Sequence, residues 1–373
     1  MSKVRIADYL ASFVSDHLGV DTVYLVSGGG MMFLSDGLAL NKKLKVVCNH
    51  HEQASAMAAV GYAKLKQDFG CAYLTTGCGG TNAVTGLLNA YQDNTPCFFI
   101  SGQVKRKETS RLAETSLRQF GVQETDIISI VEPISKYAVM ITEPERVAYH
   151  LEKAAYIAKS GRPGPVWIDI PMDIQGAMIE EADLIHFDPV EDEAVVPMIS
   201  VDDFHRVEES LVRAQRPIII AGQGIRLGKA IPEFKAFVER YNIPFAVSRL
   251  GIDLLPSDHP LFIGRIGTKG DRAGNFAVQN ADFILVLGSR LSVSSTGHQY
   301  ETFGREAKVV VLDVDACEHR KNTVEIDHFI HGDVNDFLRR FPESDYRASE
   351  AWSNKCLFWK SKWPVCLPEY ADD

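Results

Sequence analysis

The sequence has no apolar run long enough to cross a membrane, no extended run of basic residues and no uncharged apolar stretch at its N-terminus. Its apolar runs, such as residues 283–287, are strand-length, whereas a bilayer needs roughly 20 residues. The formal net charge of −10 disfavours nucleic acid, because an acidic surface repels phosphate. We therefore expect no membrane partner, no nucleic-acid partner and no secretory signal.

Paired cysteines are also missing. The seven cysteines are scattered and odd in number, and no Cys-x-x-Cys pair occurs. This pattern is typical of reduced thiols in a cytoplasmic protein, packed as small apolar side chains.

The composition is that of a folded protein. Apolar residues make up 46% of the 373 residues and charged residues 24%, so the chain can bury a sizeable core and is not disordered. At roughly 100–200 residues per domain, this length predicts two domains or three small ones.

Helical and strand patterns alternate along the chain. Apolar residues recur at helical spacing over 6–18, and residues 52–66 are helical and rich in alanine. Further helices are predicted at 83–92, 147–158, 201–213 and 232–241, and strands at 22–26, 45–48, 71–75, 96–100, 166–170, 217–221, 245–247, 283–287 and 308–314. This alternation predicts an α/β protein with two doubly wound, mostly parallel-sheet domains.

The domain boundaries follow from composition. Residues 180–197 are acidic and lack a clear period, which is typical of an interdomain linker. We predict a first domain over 1–180, a linker over 181–199, a second domain over 200–341 and a C-terminal linker arm over 342–373.

Glycines and polar residues collect where the predicted strands of the first domain end. They occupy Ser27–Gly30, His50–Glu52, Thr76–Asn82 and Ser101–Gln103. In doubly wound sheets the working loops lie at the carboxyl ends of the strands. Glu52 either acts in chemistry or, as a solvated residue, only favours the helix N-terminus. The turn at 77–82 could cradle a phosphate, although no Gly-Lys-Ser/Thr follows it.

These motifs resemble a known family. His51-Glu52-Gln53-Ala54 with Gly61-Tyr62-Ala63 resembles the pyrimidine-binding domain of thiamine-diphosphate enzymes of the acetolactate synthase type. The resemblance continues in order through residues 76–82, 102–104, 123–127, 136, 162–166 and 169–175, and more weakly over 200–340, where it matches the family's central domain.

The resemblance implies roles for several residues. In the family a glutamate hydrogen-bonds N1′ of the aminopyrimidine and favours the imino form that removes the thiazolium C2 proton, so Glu52 is the expected catalytic residue. Gln123, a second catalytic candidate, and Gln103 would face the substrate. The other expected cofactor-binding residues are Gly28, Gly29, Thr76, Gly79 and Asn82. His50 and His51 could serve in acid–base chemistry or be merely packed or hydrogen-bonded.

Some residues depart from the family pattern. Val26-Ser27 and Val122 replace the Tyr-Pro and Phe of the synthases, so we expect a changed substrate pocket and a different substrate. In the central domain, residues 266–270 and 288–295 are similar to loops that hold FAD in the synthases. By the same resemblance, Asp313 and Asp315 occupy the positions of the family's nucleotide-edge acids. FAD is therefore possible, with an empty scaffold domain as the alternative.

The family's third domain, which holds the diphosphate through Mg²⁺, has no counterpart in the motifs: neither Gly270-Asp271-Arg272 nor Gly332-Asp333-Val334 continues as its signature does. We therefore expect the third, diphosphate-binding domain to be absent, no metal ligands in this chain, and a shared site completed by a diphosphate-binding subunit or domain. A homodimer or tetramer is expected.

The expected activity is a 2-keto-acid decarboxylase or carboligase, a transferase or lyase, with the chain inactive alone. The alternatives are a non-catalytic scaffold subunit and a flavin-dependent oxidase relative.

Overall fold

The computed structural model describes residues 3–191 and 196–371, and the chain divides into two units, Met1–Ala194 and Val195–Asp373. Residues 192–195 of the predicted linker and the terminal residues 372–373 lie outside the described residues.

The first unit alternates strands and helices. Its strands are β1 (Val4–Arg5), β2 (Thr22–Leu25), β3 (Lys45–Cys48), β4 (Gly70–Leu74), β5 (Cys97–Gln103), β6 (Tyr137–Met140), β7 (Val166–Pro171) and β8 (Met178–Ile179). Its helices are α1 (Ile6–Ser12), α2 (Met32–Leu40), α3 (Glu52–Lys66), α4 (Cys78–Asn82), α5 (Val84–Gln92), α6 (Ile127–Val131), α7 (Val147–Lys159) and α8 (Met172–Gln175).

Six of these strands form one parallel sheet in the order β3-β2-β4-β5-β7-β6, and β1 pairs antiparallel with β8. The central strands β4, β5 and β7 are buried along their whole length, because helices cover both faces of a doubly wound sheet. One apolar cluster, which includes Leu10 and Ile168, lies on one face. Another, which includes Ala59 and Trp167, lies on the opposite face.

The second unit repeats the same architecture. Its strands are β9 (Pro217–Ala221), β10 (Phe245–Val247), β11 (Phe262–Arg265), β12 (Phe283–Leu287), β13 (Lys308–Asp313) and β14 (His328–His331). Its helices are α9 (Val201–Arg213), α10 (Gly224–Leu227), α11 (Ile231–Tyr241), α12 (Arg272–Asn280), α13 (Val293–Thr296), α14 (Val334–Arg340) and α15 (Glu350–Lys362). The six strands form a parallel sheet in the order β11-β10-β9-β12-β13-β14. The predicted fold class of two doubly wound, mostly parallel sheets is confirmed.

The helix α15 packs on the second unit. Trp352 is 6% exposed and donates its indole N–H to the carbonyl of Pro217 at 2.8 Å. Cys356 is fully buried in the same apolar cluster as Ile218 and Val286. The aromatic residues of this segment thus cover one face of the second sheet.

The prediction that the cysteines pack as small apolar side chains holds for only three of them. Cys71, Cys97 and Cys356 are buried, whereas Cys48, Cys78, Cys317 and Cys366 are exposed free thiols. Cys48 is exposed because β3 is the edge strand of its sheet.

Candidate functional site

The order of the first sheet reverses between β2 and β4, and the predicted site residues lie at the carboxyl ends of its strands. Ligands bind at this kind of switch point in open α/β sheets. Gly28 and Gly29 follow β2, Glu52 follows β3, Thr76 follows β4, and Gln103 ends β5.

Glu52 is the first residue of α3 and is only 9% exposed. The ring Nδ1 of His51, just before the helix, accepts a hydrogen bond of 3.1 Å from the backbone N–H of Gln53. This cap satisfies one of the free N–H groups at the helix start and fixes the backbone that carries Glu52. The alternative of a solvated Glu52 is therefore wrong, because the side chain is buried.

The two carboxylate oxygens of Glu52 differ in their surroundings. Oε2 accepts a hydrogen bond of 2.9 Å from the side-chain amide of Asn82, at the end of α4. Among the described residues, Oε1 accepts no hydrogen bond. A methyl group added at Gly79 would lie 3.3 Å from Oε1. One oxygen is thus held in place, and the other is available to a ligand beside a side-chain-free stretch of backbone.

Close packing of glycines on Thr75 assembles the loops around Glu52. A Cβ on either Gly28 or Gly79 would collide with the Thr75 side chain, at 2.6 Å from its Cγ2 in each case. Only glycine permits this approach, so the loops after β2 and β4 meet across Thr75. Gly29 has open space where its Cβ would be and makes no such contact.

The side chains of Thr76 and Gln103 are buried and form hydrogen bonds within the protein. Thr76, 6% exposed, donates its hydroxyl to the carbonyl of Gly102 at 3.0 Å. Gln103, 1% exposed, donates its amide to the carbonyl of Thr125 at 3.0 Å and to Oδ2 of Asp169 at 3.2 Å. Its own Oε1 accepts from the backbone N–H of Val104 at 3.0 Å. Both side chains therefore tie loops together.

Gln123 lies in an exposed turn that contacts the loop after β4. Its backbone is left-handed, with φ of 58°, and its carbonyl is so close to Gly77 that any Cβ there would overlap it. Gly77 itself has φ of 63°, a conformation that favours glycine. The neighbouring Val122 is 83% exposed. The side chain of Gln123 has no partner among the described residues.

The structure adds one residue whose importance the sequence pattern did not reveal. Asp169, in β7, is fully buried and accepts a hydrogen bond of 2.6 Å from the hydroxyl of Ser101. Burial raises the pKa of Asp169 to about 7, against the lowering effect of hydrogen bonds from Ser101 and Gln103. The available signals were a single acid inside an apolar strand, Val166–Pro171, and its place at the start of the family-like stretch 169–175.

The histidines before Glu52 take different positions. His51 is hydrogen-bonded as the cap of α3, which agrees with the hydrogen-bonded alternative for this residue. His50 is exposed, and its side chain makes no hydrogen bond within the described part of the chain.

The second sheet has its own switch point, between β9 and β12. Gly222 and Gly224 follow β9, and both pack against the backbone of Gly288. Their N–H groups donate to the carbonyls of Leu287 and Gly288, both at 2.9 Å. This turn therefore offers neither of these two N–H groups to a phosphate.

The two acids at the end of β13 also have internal partners. Oδ1 of Asp313 accepts from the backbone N–H of Asp315 at 3.0 Å. Oδ1 of Asp315 accepts from the backbone N–H groups of Cys317 and Glu318. Both carboxylates shape the turn that follows the strand.

Two features are absent from residues 3–191 and 196–371. No group of three or more His, Cys, Asp or Glu side chains is arranged to hold a metal ion. No helix in these ranges combines the length and apolar character needed to span a bilayer.

Comparison with protein families gives two matches. Residues 4–130 match the model described as "Thiamine pyrophosphate enzyme, N-terminal TPP binding domain", and residues 204–341 match the model for the central domain of the same enzymes.

Curated relatives agree with these matches. The chain is 33% identical over 334 residues to the acetolactate synthase large subunit of Lactococcus lactis, covering 87% of this chain and 54% of the relative. It is 33% identical over 329 residues to the probable acetolactate synthase large subunit of Methanocaldococcus jannaschii, covering 86% and 53%. It is also 33% identical over 322 residues to the acetolactate synthase isozyme 2 large subunit of Escherichia coli K12, covering 86% and 56%. The chain thus spans about half the length of these relatives.

Proposed function

The chain belongs to the family of thiamine pyrophosphate enzymes, and we propose that its first unit binds the aminopyrimidine of thiamine diphosphate against Glu52. The observation that carries this proposal is the asymmetry of the Glu52 carboxylate. A buried acceptor with one oxygen fixed by Asn82 and the other without a protein donor suits a ring nitrogen that shares a proton.

The surrounding residues fit an aromatic ring of this kind. Gly79 removes a side chain from the space beside Oε1, and Gly28 lets the loop after β2 approach through Thr75. Gly29 leaves open space at the same loop. A flat heterocycle needs such side-chain-free backbone on the way to the carboxylate. When bound, thiamine diphosphate supplies a thiazolium that accepts the electron pair released as a 2-keto acid loses CO2.

The roles of the chain's own residues follow from their contacts. Glu52 would hold or release a proton at Oε1, and Asn82 would keep the carboxylate oriented through Oε2. His51 would fix the start of α3. Gln123, whose side chain is exposed beside Gly77, would face the substrate. Thr76 and Gln103 would support the site by joining its loops rather than by touching the cofactor.

We propose that the activity is that of a 2-keto-acid decarboxylase or carboligase, a transferase or lyase. The names of the relatives support this class, while Val122 in place of an aromatic residue supports a changed substrate. The diphosphate and Mg²⁺ would be held by residues outside the two matched regions, in a further domain or a partner subunit. A homodimer or tetramer would form, and the 373 residues by themselves would be inactive.

The flavin proposal has weaker support. The N–H groups of Gly222 and Gly224 are occupied by backbone carbonyls, so this turn does not fit a flavin diphosphate, and no step is assigned to FAD. A yellow colour on purification, with oxygen uptake, would favour the oxidase alternative.

The proposed function is tested by co-expressing the chain with candidate diphosphate-binding domains and measuring CO2 release from pyruvate and larger 2-keto acids. Glu52→Gln should reduce the rate by about 10²- to 10⁴-fold, the usual contribution of general acid–base catalysis. The matched control is Glu350→Gln, because Glu350 is also the first residue of a helix but is exposed.

Equal activity of E52Q and E350Q would contradict the catalytic role. A folded complex that binds thiamine diphosphate but releases no CO2 from any 2-keto acid would favour the scaffold alternative.

A further inference from the structure

The carboxyl end of β7 carries a buried acid between two donors. Asp169 Oδ1 accepts from the hydroxyl of Ser101 at 2.6 Å, and Oδ2 accepts from the amide of Gln103 at 3.2 Å. Ser101 in turn accepts from the indole N–H of Trp167 at 2.8 Å. The Ser101 hydroxyl thus accepts a hydrogen bond from the indole N–H of Trp167 and donates its own hydrogen to Asp169.

These contacts fix the orientation of the Gln103 amide. One of its N–H groups faces the Asp169 carboxylate, and the other donates to the carbonyl of Thr125 at 3.0 Å. Rotating the amide by 180° would place its oxygen against both acceptors, which is unfavourable. Asp169, together with the Val104 N–H that donates to Gln103 Oε1, therefore holds Gln103 in the orientation that presents a donor to Thr125.

Thr125 belongs to a turn that reaches the Glu52 region. Within this turn, Glu124 is 3% exposed and accepts from the backbone N–H of Phe120 at 3.1 Å and of Ser110 at 3.0 Å. The carbonyl of Gln123 packs against Gly77, and Gly77 immediately precedes α4. That helix contains Gly79 and ends at Asn82. The turn therefore packs just before the same short helix whose last residue binds the Glu52 carboxylate.

We propose that Asp169 is a positioning residue which, through Gln103, holds the 121–126 turn against Gly77 and so fixes one side of the Glu52 site. The importance of this for the cofactor rests on the proposed function, whereas the positioning itself is a property of the chain without any ligand. Asp169 itself would touch neither cofactor nor substrate.

The strength of the hold depends on the proton of Asp169. When Asp169 is ionised, both of its oxygens accept, and its hydrogen bond from Gln103 is charge-assisted, which makes it roughly twice as strong as a neutral one. When it is protonated, the proton faces Ser101, whose own hydrogen loses its acceptor, and the bond from Gln103 becomes neutral. The charges that act on Asp169 come from Asp126, which opposes ionisation, and from Arg111, which favours it. These two groups pair with each other at 2.9 Å.

Hydrogen exchange of the full chain without cofactor tests the proposal. The backbone N–H groups of Phe120, Glu124 and Ile127 are hydrogen-bonded within residues 119–127, the segment that contains the 121–126 turn. Their protection therefore reports the order of this segment. Protection is measured at pH 6 and pH 8, corrected for intrinsic rates and expressed relative to that of β7, which follows the stability of the whole fold. In the wild type this ratio should be about fivefold greater at pH 8, as expected for one strengthened hydrogen bond.

Three variants separate positioning from general stability. Asp169→Asn keeps a neutral acceptor, so its segment should behave at both pH values like the wild type at pH 6. Asp169→Leu and Gln103→Leu remove the link and should lower protection further at both pH values. Gln103→Leu leaves Asp169 and Ser101 in place, so it still decides the question if Asp169→Leu does not fold. The matched control is Tyr137→Phe, which removes a hydrogen bond to His150 from the neighbouring strand β6 and should leave the segment as in the wild type.

The proposal is overturned if Gln103→Leu keeps wild-type protection of residues 119–127, or if Asp169→Asn keeps the wild-type pH dependence. It is also overturned if protection falls equally in β7 and in the 119–127 segment, because Asp169 would then only stabilise the fold. None of these results would bear on the catalytic role of Glu52, which the CO2 assay tests separately.

Discussion

Asn82 donates a hydrogen bond of 2.9 Å to Oε2 of Glu52 and leaves Oε1 of the same carboxylate without a donor in the described part of the chain. The two residues come from α4 and α3, which follow β4 and β3, the strands on either side of β2 in the sheet. The pair combines a fixed carboxylate with an available oxygen, which proton sharing with a ring requires.

In the proposed assembled enzyme, Asn82→Ala should lower kcat/KM by roughly 10- to 100-fold, because hydrogen bonds to charged groups contribute about 1.5–3 kcal/mol. The control is Asn89→Ala on the next helix, where the side-chain amide makes only a long bond of 3.4 Å to Asp93. Steady-state kinetics of both variants give the answer. If N82A and N89A have the same kinetics, the orienting role of Asn82 is wrong.

Gly79→Ala should destabilise the chain by about 1–3 kcal/mol, the usual cost of overpacking. The new Cβ would lie 2.6 Å from Thr75 and 3.3 Å from Glu52. Gly61→Ala is the matched control, since Gly61 lies inside α3 and a Cβ there meets no atom within 4 Å. That change should stabilise by up to about 1 kcal/mol through helix propensity. Urea unfolding measures both effects, and a stable G79A would show that the loop can move aside.

The free energy of unfolding should carry a contribution from Asp169 that decreases as pH rises. Burial raises the pKa of this acid from 3.8 to about 7, so between these values the folded state keeps a proton that the unfolded state has lost. The contribution is fully present below pH 3.8 and is lost by about pH 7, on the order of 4 kcal/mol at about 1.4 kcal/mol per pKa unit. Urea unfolding from pH 4 to pH 8 should show this slope in the wild type relative to Asp169→Asn. Parallel pH profiles of the two proteins would contradict it.

His150 should make the free energy of unfolding depend on pH in the opposite direction. Burial, followed by the charges of Arg146 and Lys153, lowers its pKa from 6.5 to about 4. The unfolded state therefore binds a proton between these values while the folded state does not, so stability falls as pH decreases from 6.5 towards 4. His150→Gln should lose less stability on acidification than the wild type does, because the unfolded variant has no imidazole to bind the proton. In the wild type, His150 is hydrogen-bonded to the hydroxyl of Tyr137 at 2.7 Å. Thermal melts at pH 6.5, 5.5 and 4.5 give the comparison; a steeper loss in the variant would refute the assignment.

Much of the element pattern was predictable because it depends on neighbours in sequence. The helix over 52–66 and the strand over 45–48 have the predicted bounds, since alanine-rich helical spacing and a β-branched run each identify their element locally. The turn predicted at 77–82 is instead a short helix, α4, after a left-handed glycine. Strands β1, β6, β8, β11 and β14 were not predicted. Of these, β6, β11 and β14 lie at sheet edges and include partly exposed residues, so their apolar signal is weak.

The candidate site, like the fold, was only partly predictable from the sequence. The motif resemblance singled out Glu52 and Asn82, but it could not tell that Gln103 is occupied by internal partners or that Thr76 binds the carbonyl of Gly102. A side chain's identity in a motif does not determine its direction. That direction depends on the donors and acceptors that surround it after folding.

The sequence by itself determined the alternation of strands and helices, the positions of glycines at strand ends and the membership in the thiamine pyrophosphate enzyme family, because each of these depends on local spacing or on matched motifs. Only the tertiary structure decided which oxygen of Glu52 is free and why Asp169 is buried with a raised pKa. The hydrogen-bond partners of these two carboxylates lie 30 residues from Glu52 and 68 residues from Asp169 along the chain. Contacts over such separations exist only once the parallel strands have brought their ends together.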